Sequence, residues 1–341
     1  MTSIPWNRIN TGLLLVVLLA VIGLFASRAY GGPLDPPGAP SATDGVLEPG
    51  TPISSLPFAI TASGYYYLTR NLTGSSGDTG ITISESDVTL DLKGFSLRGM
   101  VGTLDGVQIA TGAANITIRN GSISYWGGSG IVFSLPTFAI GSNIHDLHVS
   151  NNGGDGIRTG GRTIIHDVTS RDNMLSGITA SANAVIQRCI VTTNGGDGIN
   201  APFSSSITEC SVTNNGGDGI SAGQSSIVRG NLVYSNGGDG VEVSAGSLVE
   251  QNTTVANGLQ VANGAGVRAT GLFNRITNNN AANNDYGFAV DGPALTIGNY
   301  AQNNGQNSGD NYGQVLYGPL GPVLDASTID DAGANPHANF R

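Results

Sequence analysis

The chain has 341 residues, of which only 11% are charged and 6% are aromatic, while 52 are glycine. The formal net charge of −10 argues against nucleic acid as a partner, because phosphate binding needs a basic surface. β-Branched residues recur at regular intervals, so this composition indicates a folded β structure rather than disorder.

The first 29 residues are predicted to be a secretory signal peptide. Arg8 precedes an apolar run over 13–25, small residues follow, and cleavage is expected after Ala29. The alternative is an uncleaved membrane anchor, although a run of this length spans a bilayer poorly. Residues 30–50 are rich in Pro and Gly, which is typical of a linker. We therefore expect a protein that is secreted or held at the cell surface, and whose only membrane contact is this segment if uncleaved.

One short phrase recurs through the middle of the chain, mostly at intervals of 21 residues. It reads NNGGDGI at 151–157, TNGGDGI at 193–199, NNGGDGI at 214–220 and SNGGDGV at 235–241, whereas the copy expected at 172–178 reads DNMLSGI. Apolar residues alternate with mostly polar ones after each copy, which is the period of a β-strand. The residue that follows D-G, or its equivalent, forms an apolar column: Ile81, Val107, Ile131, Ile157, Ile178, Ile199, Ile220, Val241, Val267 and Phe288.

Two further columns keep the 21-residue spacing. One is apolar and predicts a second strand: Ile144, Ile165, Ile186, Ile207, Val228 and Val249. The other predicts a stack of side-chain amides at a bend, each bonded to the next: Asn152, Asn173, Asn194, Asn215, Asn236 and Asn257. We therefore predict an all-β parallel solenoid of about ten coils, with 21–26 residues per coil, over 51–305. Residues 51–75 are expected to cap its start and 306–341 its far end, because exposed strand edges recruit other chains.

Over about residues 57–305 the sequence resembles the right-handed parallel β-helix repeat proteins, the pectate-lyase-like superfold. The segment 57–99, which contains TLDLKGFSL, is also similar to the first coils of many secreted bacterial proteins of this type. The resemblance implies three strands per coil, right-handed winding, an asparagine ladder and a carbohydrate ligand. Many such proteins have no assigned reaction. The hallmark residues of polygalacturonases are absent as a set, and DYGFAVDG at 285–292 lacks the Asp and His of the alginate epimerase motif.

The aspartates of the repeated phrase are the first candidate site. Asp197, Asp218 and Asp239 should stack about 5 Å apart, where like charges in water repel by about 1 kcal/mol per pair. Ca²⁺ is the cofactor that would relieve this repulsion, because hard cations prefer oxygen ligands. The alternative, which we favour, is that each carboxylate accepts backbone N–H bonds within its own turn.

A histidine patch is the second candidate and the one considered for catalysis. His145-Asp146 and His166-Asp167 are one step apart, and the histidines should face outward because the preceding isoleucines face inward. A histidine near a carboxylate can act as a general base or as a metal ligand. Successive strand side chains face opposite ways, so each histidine meets its own Asp only if a turn intervenes. A solvated polar face is the alternative.

The third candidate is an outward row beside the main apolar column, which includes Arg158, Asn200, Glu242 and Arg268. In enzymes that the sequence resembles, substrate sugars lie in a groove along such a face. An acidic polysaccharide would need several basic residues there, and this row has two. Paired carboxylates for glycoside hydrolysis lie about 5–10 Å apart, and nothing in the sequence singles out such a pair.

Two classes of function remain open. One is a carbohydrate-associated protein that binds a polysaccharide and, as a lyase, hydrolase or epimerase, processes it. The other is a non-catalytic structural or adhesive surface protein. We favour carbohydrate association and a monomer. Cys189 and Cys210 share one column, and we expect two buried thiols because parallel stacked side chains make the disulfide torsion awkward.

Overall fold

The computed structural model describes residues 50–134, 141–258 and 264–305, together with the backbone of 312–315, 323–324 and 339–340. The expected signal peptide at 1–29, nearly all of the linker at 30–50 and most of the expected cap at 306–341 lie outside the described residues. All described residues belong to one unit, Gly50–Arg341. None of them forms a helix long and apolar enough to cross a membrane.

The described chain is built from short β-strands, most of them two to five residues long. In chain order they are β1 Thr51–Ile53, β2 Phe58–Ile60, β3 Gly64–Leu68, β4 Leu72–Thr73, β5 Ile81–Ile83, β6 Val88–Asp91, β7 Ser96–Arg98, β8 Val107–Ile109, β9 Ile116–Ser124, β10 Ile131–Phe133, β11 Asn143–Ser150, β12 Ile157–Arg158, β13 Ile164–Arg171, β14 Ile178–Thr179, β15 Val185–Gln187, β16 Ile190–Thr192, β17 Ile199–Phe203, β18 Ser206–Thr208, β19 Ser211–Thr213, β20 Ile220–Gln224, β21 Ile227–Arg229, β22 Leu232–Tyr234, β23 Val241–Val243, β24 Leu248–Glu250, β25 Thr253–Val255, β26 Ala265–Thr270, β27 Asn274–Thr277, β28 Asn280–Ala282, β29 Tyr286–Asp291, β30 Ala294–Ile297, β31 Tyr300–Gln302, β32 Tyr312–Val315, β33 Val323–Leu324 and β34 Asn339–Phe340.

These strands stack in parallel on three faces, and most coils contribute one strand to each face. Face A is the sheet β2-β5-β8-β10-β12-β14-β17-β20-β23-β26-β29-β32. The remaining strands form a second sheet that wraps around two faces. Face B contains β1, β3, β6, β15, β18, β21, β24, β27 and β30, and face C contains β4, β7, β16, β19, β22, β25, β28 and β31. The long strands β9, β11 and β13 bend across both faces.

The pairing on face A confirms the predicted main column. Each of its ten apolar residues pairs with the next, from Ile81 with Val107 to Val267 with Phe288, and all are buried. Phe58 precedes the column and Tyr312 follows it, so face A has twelve strands. Residues 51–75, which we expected to cap the start, supply β1 to β4 and form part of the coil stack.

The bend between faces B and C is made by one residue in each of several coils. Asp146, Asp167 and Arg188 adopt φ of 53°, 55° and 52°, in the left-handed region. A single left-handed residue reverses the alternation of side chains at that point. The side chains of the left-handed residue and of the residue before it can therefore face the same outer surface.

Polar ladders line the corners. In the predicted ladder each Asn Nδ2 donates to the Oδ1 of the next Asn at 2.9–3.0 Å, and Asn284 and Asn304 extend it. Two other ladders, at spacings of 20 to 27 residues, were not predicted from the sequence. One contains Asn231, Asn252, Asn279 and Asn299, and the other contains Ser205, Ser226, Ser247 and Asn274.

The ladder predicts a large cost for removing one buried amide. Asn215 accepts the N–H of Asn194 at 3.1 Å and donates to the carbonyl of Val191 at 3.2 Å. Asn215→Ala leaves both partners buried and unpaired, so we expect the free energy of unfolding to fall by about 3 kcal/mol. Denaturant titration would measure this. The control is Ser211→Ala, a half-buried outward position, where the change should stay within about 0.5 kcal/mol; equal losses would contradict the ladder's role.

Candidate functional site

The two predicted histidine–aspartate pairs form one cluster on face B. The imidazole rings of His145 and His166 stack with centroids 4.8 Å apart and planes within 5°. Each Nδ1 lies 2.7 Å from the Oδ2 of the following Asp, Asp146 or Asp167. The intervening turn that the sequence could not establish is the left-handed bend at the aspartate. Backbone geometry therefore brings each His onto its own Asp.

The two pairs differ in their carboxylates. Arg188, one coil further on, donates to both oxygens of Asp167, at 2.9 and 2.8 Å. Hydrogen bonds from Arg188 and His166 hold the pKa of the Asp167 carboxyl well below its usual range. Asp146 has only its contact with His145 among the ion pairs of the described residues. The carboxylate of Asp146 therefore pairs with His145 alone, whereas the carboxylate of Asp167 is shared between His166 and Arg188.

The geometry leaves the outer ring nitrogens available. An Nδ1–H bonded to a carboxylate places the lone pair of a neutral imidazole on Nε2. No hydrogen bond joins Nε2 of His145 or His166 to another described residue, and both side chains are partly exposed. His148, three residues after His145, pairs with Ser122 and Thr169 on face C, beyond the bend. The patch thus consists of two histidines that can accept a proton from a ligand on face B.

The buried carboxylate of Asp91 belongs to the same column of paired residues. Asp91 pairs in register with Arg119 of the next coil, and Arg119 pairs with His145 of the coil after that. Asp91 is only 2% exposed and accepts bonds from Tyr65 Oη, Arg119 Nε and the backbone N–H of Lys93, at 3.2, 3.0 and 2.8 Å. This cluster was not predicted from the sequence. Its signal was present, because Asp91 and Arg119 occupy the same outward column as His145.

The predicted row on face A is continuous. Arg158, Thr179, Asn200, Ser221, Glu242 and Arg268 pair in that order in register. Both arginines already hold carboxylates: Arg158 pairs with Asp155 at 2.6 Å and Arg268 with Asp239 at 2.5 Å. Between them lies a groove of about 280 Å³, lined by Asn200, Pro202, Phe203, Ser221, Ala222, Gly223, Gln224, Glu242 and Ser244.

The stacked aspartates use one oxygen each to bind the next coil. The N–H of Asp218 donates to Asp197 Oδ1 at 2.9 Å, and the N–H of Asp239 donates to Asp218 Oδ1 at 2.7 Å. The expectation that each Asp accepts N–H bonds within its own turn is wrong, because the donors belong to the neighbouring coil. Burial, together with the neighbouring carboxylates of Asp239, Asp197 and Glu242, raises the pKa of Asp218 to about 7.

Metal chemistry finds little support among the residues whose positions are described. No group of three or more His, Cys, Asp or Glu side chains there is arranged to hold a metal ion. The calcium site considered at Asp197, Asp218 and Asp239 consists of carboxylates whose Oδ1 atoms already accept backbone N–H bonds. Calcium binding there stays a hypothesis without a formed ligand cage.

Cys189 and Cys210 are both buried and free, as expected. They stand in the column that continues as the second asparagine ladder, because the N–H of Cys210 donates to Asn231 Oδ1 at 2.9 Å. Their Sγ atoms contact backbone carbonyls inside the tube, such as that of Gln187 at 3.4 Å from Cys189. They contribute to the interior and not to either outer surface.

Comparison with known proteins defines the family. The model of the right-handed β-helix region matches residues 58–208 and 178–318. No curated protein matches the sequence.

Solved structures share the fold at low sequence identity. The A-module of Azotobacter vinelandii mannuronan C-5 epimerase AlgE6 is 15% identical with a TM-score of 0.52, covering 82% of this chain and 90% of that one. The A-module of AlgE4 from the same organism is 16% identical with a TM-score of 0.51, covering 75% and 90%. ORF18 of Geobacillus virus E2 is 14% identical with a TM-score of 0.50, covering 87% and 65%.

The buried Asp218 predicts a pH-dependent stability. Its pKa of about 7 in the folded protein exceeds the ordinary 3.8, so the unfolded chain loses this proton first. A raised carboxyl pKa makes stability fall as pH rises between those two values. Asp218→Asn keeps an oxygen for the N–H of Asp239 and has no proton to lose. We expect the gain in stability of this variant over wild type to be larger at pH 8 than at pH 4, close to the unfolded pKa. Thermal melts at both pH values test this; an equal shift at both would contradict it.

The difference between the two histidine pairs is also testable. Arg188→Gln removes the two hydrogen bonds that stabilise the Asp167 carboxylate, so the pKa of Asp167 should rise. Carbon-detected NMR titration of the side-chain carboxyl groups would measure it. Arg171→Gln is the control, because Arg171 pairs with Asp172 instead. An unchanged Asp167 titration in Arg188→Gln would refute the role given to Arg188.

Proposed function

The chain belongs to the right-handed β-helix family, and on that premise we propose that it binds a polysaccharide along the outer surface of face A. A signal peptide at 1–29 would deliver it outside the cytoplasm, where such polymers occur. Two solved structures of similar fold are named as mannuronan C-5 epimerases, so this fold is compatible with a sugar polymer as ligand.

The groove on face A carries the proposal. Phe203 is 53% exposed at its edge, although a large aromatic side chain gains free energy by burial. Asn200, Ser221 and Gln224 supply amide and hydroxyl groups beside it. An aromatic face packs against the C–H face of a sugar, while amides and hydroxyls bond its hydroxyl groups. The groove combines both kinds of contact on rigid strands.

The charges of the groove favour a neutral glycan over an acidic one. Arg158 and Arg268 are the basic residues of the row, and each is committed to an aspartate. Glu242 adds a carboxylate at the groove itself. A uronate chain would meet this carboxylate without a free cation to offset the repulsion. A neutral chain can instead donate hydroxyl hydrogen bonds to Glu242.

A catalytic function is the second candidate, and the histidine cluster favours it. Asp146 orients the ring of His145, and the outer nitrogen is placed to act as a general base. His166 stacks beneath it with the same orientation. A lyase, epimerase or hydrolase needs such a base beside the bound sugar. This candidate requires the polymer to reach face B, and a purely structural or adhesive tube would need neither surface.

Binding is tested with purified protein and a panel of neutral and uronate glycans, with and without Ca²⁺, by affinity electrophoresis. We expect a neutral glycan to bind and Phe203→Ala to weaken it at least tenfold, since stacking on an aromatic ring is lost. Tyr234→Ala is the matched control, because Tyr234 is a 45% exposed aromatic on face C. Unchanged affinity in Phe203→Ala, or an equal loss in Tyr234→Ala, would overturn the groove as the site.

Catalysis is tested on the same panel by the appearance of reducing or unsaturated ends and by epimer content. If turnover occurs, His145→Ala should lower it at least a hundredfold, the usual contribution of a general base. His148→Ala serves as the control, because that side chain lies on face C. Turnover that survives both His145→Ala and His166→Ala would eliminate the cluster. Absence of both binding and turnover would favour the structural alternative.

A further inference from the structure

A separate cavity of about 530 Å³ opens at the corner where the chain passes from face C to face A near the start of the tube. It lies across the coils that contain β4, β7 and β9. Its side-chain walls are Thr73, Arg98, Met100, Val101, Tyr125 and Asn151. The cavity shares no residue with the face A groove or with the histidine cluster.

Arg98 is the basic residue of this cavity wall. Its guanidinium lies 4.1 Å from the centre of the Tyr125 ring, and it makes no ion pair with any residue in the described ranges. Six of the ten arginines in the described ranges hold carboxylates, namely Arg119, Arg158, Arg171, Arg188, Arg229 and Arg268, whereas Arg98 shares the lack of an ion pair with Arg70, Arg162 and Arg275. An unpaired guanidinium at a cavity wall is complementary to an anion, because its planar fork binds carboxylates in a bidentate manner.

The other walls are apolar. Met100 and Val101 are 49% and 94% exposed, and Tyr125 is 46% exposed. Besides Arg98, the polar side-chain groups of the walls are those of Thr73 and Asn151 and the hydroxyl of Tyr125. A sugar would lose water from many hydroxyl groups that this surface could not bond, which costs free energy. A ligand with an apolar body and one anionic group matches the walls better.

The loop that carries these apolar residues is fixed before any ligand arrives. The N–H and the hydroxyl of Thr103 both donate to the carbonyl of Met100, at 3.1 and 2.8 Å. The N–H of Gly77 donates to the carbonyl of Gly102 at 2.7 Å, which ties the loop to the preceding coil. A preformed wall reduces the entropy lost on binding.

We propose that this cavity binds an amphiphilic carboxylate, an acyl or aryl chain whose carboxylate pairs with Arg98 and whose apolar body covers Met100, Val101 and Tyr125. This site is independent of the proposed glycan groove. Loss of one would leave the other intact, so the two proposals can fail separately.

The test is isothermal titration calorimetry of the full chain with decanoate below its micelle concentration. Decanoate should bind one site, and Arg98→Gln should weaken it at least tenfold, because the ion pair is lost. Tyr125→Ala should also weaken it. Decyltrimethylammonium, which has the same chain and the opposite charge, should not bind. Arg171→Gln is the matched control, since Arg171 is an exposed arginine in the same outward column of face C.

Three results would overturn the proposal: no binding of decanoate, unchanged affinity in Arg98→Gln, or an equal loss in Arg171→Gln. Two further arms examine other occupants. Oligogalacturonate that binds in an Arg98-dependent manner would make the cavity a sugar subsite. Sedimentation with phosphatidylcholine vesicles that depends on Met100 and Val101 would make it a membrane contact. Either result would replace the amphiphile as the ligand.

Discussion

Backbone hydrogen bonds between parallel strands hold each coil directly over the next, and every other feature of this protein depends on that register. Identical side chains become neighbours because their positions repeat at the period of one coil. Apolar columns then merge into one core, and buried asparagines bond to one another along the tube. A buried amide is tolerated because its partner is the same residue one coil away.

The same register creates the chemistry of the outer surface. Stacking places two imidazoles in parallel on face B and three carboxylates in line at one corner. Neighbours of like charge are costly, and the structure offsets this in two ways. Asp167 receives a guanidinium from the next coil, while Asp218 remains partly buried with a raised pKa. The surface columns are therefore the places where a different residue in one coil changes the exposed charge without changing the stacked core.

The irregular copy of the repeat illustrates this freedom. Met174 and Leu175 replace a glycine pair, yet their N–H groups bond to the carbonyls of Asn152 and Gly154, just as Gly195 and Gly196 bond one coil later. The backbone path is preserved while two apolar side chains enter solvent. The exposed loop at Met100 and Val101 shows that an inserted corner can likewise form a cavity wall without disturbing the stacked strands.

The sequence by itself determined the parallel coils, the main apolar column and the first asparagine ladder, because a fixed period translates directly into vertical neighbours. It also placed the histidine pairs on one outer face. Only the tertiary structure decided the contacts between different columns. These are the left-handed bend that turns His145 onto Asp146, the two hydrogen bonds of Arg188 to Asp167, and the hydrogen bonds of Tyr65 and Arg119 to the buried Asp91. The N–H groups that donate to the stacked aspartates were expected within the same turn, but they belong to the next coil. These contacts depend on bend angles and side-chain rotamers, which a one-dimensional period does not encode.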